Sequence, residues 1–235
     1  MGGSAWLTTL SALDVAALAL LLAAWFGASW WIERGPRAGM SISAIMNEKR
    51  AVWMRRAAER DQRIVDAALL TALQNGAAFF ASATLLAAGG ALALIAETDQ
   101  IVRVARDLPL SEAPPSIAAF EAKLLVTLIL LVNAFLKFAW AQRLFSYCAV
   151  LIGAIPNQPT PPQPLTAEHQ AEAARAAAVL AQAGVSFNRG LRTLYYALAS
   201  LAWLIGPLAL TVAIAVISTV IWRREFRSKG RDAMM

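Results

Sequence analysis

Apolar residues along the chain gather into four stretches long enough to cross a hydrocarbon core, which takes about 20 residues. They run over residues 12–32, 67–96, 123–143 and 194–222. The first is interrupted only by Asp14, near its start. The second holds Gln74 and Asn75, the third holds Asn133, Lys137, Gln142 and Arg143, and the fourth has Gly206-Pro207 near its middle. A kink is expected there, because interior proline is tolerated in lipid when neighbouring helices satisfy the freed carbonyl. The pattern predicts an all-α integral membrane protein, one membrane domain (1–235) with four transmembrane helices. No Lys or Arg precedes the first span and its apolar run is too long for a signal-peptide core, so it is expected to be a retained helix.

Helical periodicity continues beyond the spans. Residues 41–63 contain no Gly or Pro, and Ile42, Ile45, Met46, Val52 and Trp53 recur at helical spacing. One helix from about Ser43 to Ile95 is therefore expected, helped by i,i+4 pairs Arg55–Glu59 and Glu59–Arg63. The third span runs on past Arg143 until Pro156, where the proline-rich strap 156–164 stops all helix. Thr166 is placed to cap an Ala-rich helix over 167–183, with Glu168 in its first turn. Gly184 or Gly190 is expected to break that helix before the fourth span. The extensions 41–66 and 144–192 should form a small cytoplasmic bundle. The loop 97–121 carries Pro109, Pro114 and Pro115, and should be exported with a short interfacial helix around 99–106.

Composition points the same way. The chain is 59% hydrophobic and 15% charged, whereas soluble domains are about half apolar and a quarter charged. The spans do not account for all of the apolar content, so the bundle outside them should be packed, with a partner able to cover it. One cysteine, Cys148, and one histidine, His169, exclude an intramolecular disulfide, multi-cysteine metal sites and bis-histidine haem. Neither carries a site: Cys148 is expected to pack as a small apolar residue and His169 to be solvated. No nucleotide-binding, zinc-protease or nucleophile-elbow motif occurs. No cofactor, metal or catalytic residue is expected, and no enzymatic activity.

The net charge of +6 gives an orientation. Arg34, Arg37, Lys49, Arg50, Arg55, Arg56, Arg60 and Arg63 lie between the first two spans. Between the second and third, Arg103 and Arg106 face Glu97, Asp99, Asp107, Glu112 and Glu121. The positive-inside rule makes the first loop cytoplasmic and the second exported, with the N-terminus outside. Trp25, Trp30 and Trp31 then mark the inner interface and Trp6 the outer one. The basic loop is suited to anionic lipid headgroups; nucleic acid is not an expected partner, because the positive charge lies at membrane edges. One feature conflicts. Four spans place the tail outside, yet it carries Arg223, Arg224, Arg227, Lys229 and Arg231. Either the tail breaks the rule or the span count is off by one; no further segment is long enough, so four are retained.

Polar groups within spans are the candidate functional positions, because each costs a few kcal/mol unless paired or hydrated. Setting Asp66 level with Arg143 on antiparallel spans two and three puts Lys137 above them and Asn75 beside Asn133. This is a candidate intramembrane polar seam: Asp66, Asn75, Asn133, Lys137 and Arg143. It reads either as glue between helices or as a hydrated pathway. Asp14, near the outer end of its span, is expected to face water. Small residues Ala12, Ala16, Ala19, Ala23 and Gly27 stripe the first span, as Ala83, Ala87 and Ala91 do the second; in an Ala-rich chain such stripes also arise by composition alone.

Several strings resemble a family of membrane proteins, domain-of-unknown-function family 599. They include Asn47, Arg50, Trp53, Met54, Arg60-Asp61, Arg63-Ile64 and Asp66, then Phe79-Phe80-Ala81-Ser82. Lys137-Phe138-Ala139-Trp140 with Arg143, Tyr147-Cys148 and Gly153-Ala154 is similar to its third-span signature. Asn188, Gly190-Leu191-Arg192 and Tyr195-Tyr196 are similar to the approach to its last span. The resemblance implies a multi-pass protein of the bacterial inner membrane and brings no activity, cofactor or substrate. It adds a candidate cytoplasmic surface: Asn47, Arg50, Trp53, Arg60, Asp61, Arg63, Asn188 and Arg192. The expected function is a non-enzymatic accessory, scaffold or assembly subunit of a larger membrane complex, with other membrane subunits or self-association as partners. The alternative is a small homo-oligomeric channel or transporter that uses the seam.

Overall fold

In a computed structural model of the chain, described over residues 10–107, 116–157 and 164–234, the described residues outside turns are helical. The helices are α1 (Ala12–Arg34), α2 (Ile42–Ala58), α3 (Ile64–Ala96), α4 (Thr98–Asp107), α5 (Ile117–Ala154), α6 (Ala167–Ser200), α7 (Pro207–Phe226) and the single turn α8 (Lys229–Asp232). Among the described residues four segments are long and apolar enough to cross a membrane: α1, α3, α5 and the stretch from Pro207 to Asp232. Large apolar side chains such as Leu13, Phe26, Leu86, Val150, Ile205 and Leu208 are exposed, which water would penalise and lipid tails accept. Trp6, most of the proline strap and the centre of the loop 97–121 lie outside the described residues.

The expected helix from Ser43 to Ile95 is two helices. α2 starts on Ser41, whose side chain accepts from the Ala44 N–H, and ends at the cap residue Glu59. Arg63 then turns back to donate from Nε to the Ala57 carbonyl, 3.0 Å, satisfying a group that a continuing helix would have used. The expected pairs through Glu59 give way to one pair with Arg56, 3.0 Å.

The break expected at Gly184 or Gly190 is absent, because α6 runs unbroken from Ala167 to Ser200. Both glycines serve close approach instead. A Cβ on Gly184 would stand 2.5 Å from the Arg50 guanidinium carbon, and one on Gly190 would stand 2.8 Å from the Phe138 ring. The expected fourth span is correspondingly divided. After Ser200 a 3-10 turn over Leu201–Leu204 leads to Gly206, and α7 begins at Pro207. Proline suits a first helical position, where its missing N–H is no loss; Pro207 starts a helix and does not kink one.

The chain forms two compact units. One comprises residues 1–30, 83–134 and 191–222, the other 31–82, 135–190 and 223–235. In the first, Leu21, Leu124, Leu130, Tyr196, Trp203 and Leu210 are fully enclosed. Its buried hydroxyls find partners: Thr127 with Ser200 at 2.8 Å, Tyr196 with Ser218 at 3.0 Å, and Thr193 accepting from Trp25 Nε1 at 2.9 Å. In the second, Met54 of α2, Leu70 and Ala77 of α3, Phe145, Cys148 and Ile152 of α5, and Ala176, Leu180 and Ala183 of α6 make one apolar core. Phe80, Phe138 and Phe187 add a ring cluster with centroids 5.3–5.6 Å apart. Helical residues beyond the expected spans (Met54, Phe145, Ile152, Ala176, Leu180) thus share one core with residues of the spans themselves. Cys148 sits wholly inside it, its thiol on the Ala176 carbonyl at 3.5 Å.

Candidate functional site

The residues carrying polar chemistry in the second unit fall into two groups. The first closes the corner between α2 and α3. Asp66, in the first turn of α3 where a carboxylate is favoured by the helix dipole, is fully buried. Its Oδ1 accepts from Trp53 Nε1 at 2.7 Å and from Arg60, while Oδ2 has no hydrogen-bond partner. Beside it Arg63 donates to the Ile155 and Pro156 carbonyls, each at 2.8 Å, as well as to Ala57. One guanidinium fork thereby caps the C-terminal ends of both α2 and α5.

The pairing expected between Asp66 and Arg143 does not form. Gln74 Nε2 donates to Ser146 Oγ at 2.8 Å and Phe80 stacks on Phe138. Asp66 is therefore level with the last turns of α5, near Ile152. The reason is that α5 continues to Ala154, about three turns beyond Arg143. Arg143 is exposed and donates to the Tyr147 hydroxyl at 2.9 Å. Asn75 is exposed and Lys137 half-buried, its backbone carbonyl accepting from Ser186 at 2.9 Å. Asn133 belongs to the first unit, where its buried Oδ1 has no partner.

The second group surrounds a cleft of about 290 Å³ lined by Ile32, Glu33, Arg34, Ala38, Ser41, Ser43, Ala44, Asn47, Val185 and Arg189. Glu33 pairs with Arg189, whose Nε stands 2.9 Å from the carboxylate. Ser43 Oγ accepts from Asn188 Nδ2 at 3.2 Å and donates to Glu225, 3.2 Å away. Asn47 Oδ1 accepts from Arg50 Nη1 at 2.8 Å. Burial pushes the Arg50 pKa below the usual arginine value.

Of the expected cytoplasmic surface, only Arg60 and Asp61 are exposed; Asn47, Arg50, Trp53, Arg63 and Asn188 are half-buried around these two groups. Arg192 is no surface residue at all. It is 4% exposed inside the first unit, 3.4 Å from Ser29 Oγ, because α6 carries it past the point where a break was expected.

The sequence reading missed a further cluster, in the first unit. Asp14 does not face water: it accepts from Trp203 Nε1 and Ser11 Oγ at 2.7 Å each and pairs with Lys123 at 3.2 Å. The Lys123 ammonium also lies 5.6 Å from the Trp203 ring centroid. A charge at the rim of each of two apolar stretches was the available signal; that the two meet was not legible. His169 likewise is buried and not solvated, its Nδ1 on Thr166 Oγ1 at 2.6 Å. Among the described residues no three His, Cys, Asp or Glu side chains gather as a metal site.

Four lipid-compatible helices, polar groups paired within the chain and a packed helical extension define a multi-pass helical membrane protein. A family model described as "Protein of unknown function, DUF599" matches residues 16–230, and the chain belongs to that family. No curated protein and no solved structure matches it.

Proposed function

We propose that the protein is a non-enzymatic accessory or assembly subunit of a larger complex in the bacterial inner membrane. The observation that carries this reading is the placement of the small-residue face of α1. Ala12, Ala16, Ala19, Ala23 and Gly27 are all exposed, and a Cβ on Gly27 would meet nothing within 4 Å. Small residues let helix backbones approach closely in lipid, and a face of them left uncovered by its own chain suits a helix of another subunit. The internal pairing of Thr127, Ser200, Tyr196, Thr193 and Ser186 fits a structural role, since a water path needs hydrated polar groups. A homo-oligomeric channel is the second reading, favoured by the unpaired buried Asn133 Oδ1.

The first loop and the tail belong together on the cytoplasmic side in this reading. Ser43 bonds Glu225, and Arg231 Nε donates to the Met40 carbonyl at 2.8 Å, so both basic segments satisfy the positive-inside rule at once. An even number of crossings must then separate them. α3, α5 and α7 supply three, and in this reading α6 supplies the fourth, which takes its C-terminal half into the membrane and leaves only its first half in the extension.

Purification in mild detergent followed by native mass measurement tests the role. Foreign subunits in fixed ratio are expected, and Ala19→Leu, which fills the exposed face, should release them while the chain stays folded. A symmetric self-oligomer with no foreign subunit would instead support the channel.

A further inference from the structure

We propose that the cleft between the end of α1, the start of α2 and α6 binds a phosphate-bearing anion, held by the guanidinium groups of Arg34 and Arg50. The case begins with charge. Buried or half-buried arginines normally face a carboxylate, because an uncompensated charge taken from water is costly. Arg50 is half-buried and among the described residues has no ion pair, the one hydrogen bond of its guanidinium going to the neutral Asn47 amide. Arg34 is exposed at the cleft and likewise has no carboxylate partner among the described residues. The carboxylates nearby are engaged elsewhere: Glu33 by Arg189, Glu225 by Ser43.

Geometry brings Arg34 to the cleft itself and Arg50 to the wall beside it, through its bond to the cleft-lining Asn47. Arg34 and Asn47 line the cleft, and Arg50 follows Asn47 by one helical turn on α2. The Arg50 guanidinium lies flat against α6 at Gly184, the residue before cleft-lining Val185, and only a glycine there leaves it room. A volume of about 290 Å³ is at the small end of ligand clefts, roughly 300 Å³ upwards. Guanidinium forks match phosphate oxygens in pairs, and Ser41 and Ser43 bring hydroxyls to the same walls. The exposed Trp31, one turn before the end of α1, puts this opening at the depth where aromatic residues meet headgroups. The phosphate can therefore come from an anionic phospholipid or from solution. This site is independent of which complex the chain joins.

The test uses the full chain in detergent, with thermal melting and native mass spectrometry as readouts. The probes are phosphatidylglycerol and phosphatidylcholine in mixed micelles, and inorganic phosphate. Wild type should be stabilised by phosphatidylglycerol and retain it, and should ignore phosphatidylcholine. R34Q and R50Q should each bind about tenfold more weakly. R55Q, which removes an exposed arginine of the same helix, should behave as wild type. A response to inorganic phosphate as well assigns the ligand to the free anion; its absence assigns the lipid headgroup. If R50Q does not accumulate, Gly184→Ala displaces the guanidinium while keeping its charge and should weaken binding similarly. Equal responses to the two lipids with none to phosphate overturn the site. So does wild-type binding by R34Q or R50Q, or an equal loss in R55Q.

Discussion

Asp14 and Lys123 each keep 12% of the side chain exposed and stand 3.2 Å apart. Removing one charge strands the other, which for buried pairs costs about 3–5 kcal/mol, whereas replacing both by apolar groups is often near neutral. Asp14→Asn is therefore expected to lower stability by about 3 kcal/mol, even though an asparagine oxygen can still accept from Trp203. Asp14→Asn with Lys123→Met should recover more than half of that loss. Chemical unfolding in detergent measures both, and a single variant as stable as wild type would show that the pair contributes nothing. Asp14 was misread because depth near a span end is consistent with water or with a partner. The partner lies on α5 and the indole comes from the turn after α6, contacts that periodicity cannot supply. Cys148 was legible because its neighbours at helical spacing are apolar, which fixes a buried face without knowing what covers it.

At the scale of elements, the spans and the packed extensions could be read because length and hydropathy decide them locally. What failed were the joints. Gly184 and Gly190 look like breaks, yet isolated glycine inside a helix also marks a close neighbour, and here both neighbours come from other helices. The distinction predicts opposite outcomes for one substitution. Gly190→Ala would press a Cβ to 2.8 Å from the Phe138 ring, an overpacking worth about 1–3 kcal/mol of stability. Gly27→Ala enters open space and should be neutral or gain up to about 1 kcal/mol from helix propensity. Melting temperatures of the two variants check this, and equal effects would show that Gly190 is not packed as described. The missed joint between α2 and α3 has the same origin. Arg63 supplies to the carbonyls of Ala57, Ile155 and Pro156 what a continuing helix would have supplied to one of them, and the α5 carbonyls it reaches are invisible to local pattern.

For the whole molecule, four described segments are long and apolar enough to cross a membrane, and the proposed reading adds α6 as a further crossing to reconcile them with the basic tail. By composition α6 does not qualify as a span, because its end carries Arg192, Thr193 and Ser200. Those residues are buried against the protein and not against lipid, and a helix enclosed by others need not be apolar all round. Hydropathy reports exposure to lipid, so it passes over a helix shielded by others; the contacts of Ser43 with Glu225 and of Met40 with Arg231 are what favours the even count in that reading. The consequence is testable without knowing the function. With Cys148 replaced by Ala, single cysteines at Arg55 and Arg227, both exposed, should be labelled by a membrane-impermeant reagent only after the cells are opened. A fluorescent reporter fused after Met235 should glow and an exported phosphatase there should stay inactive. Labelling of the Arg227 position in intact cells, with the Arg55 position protected, would put the tail outside and overturn the added crossing.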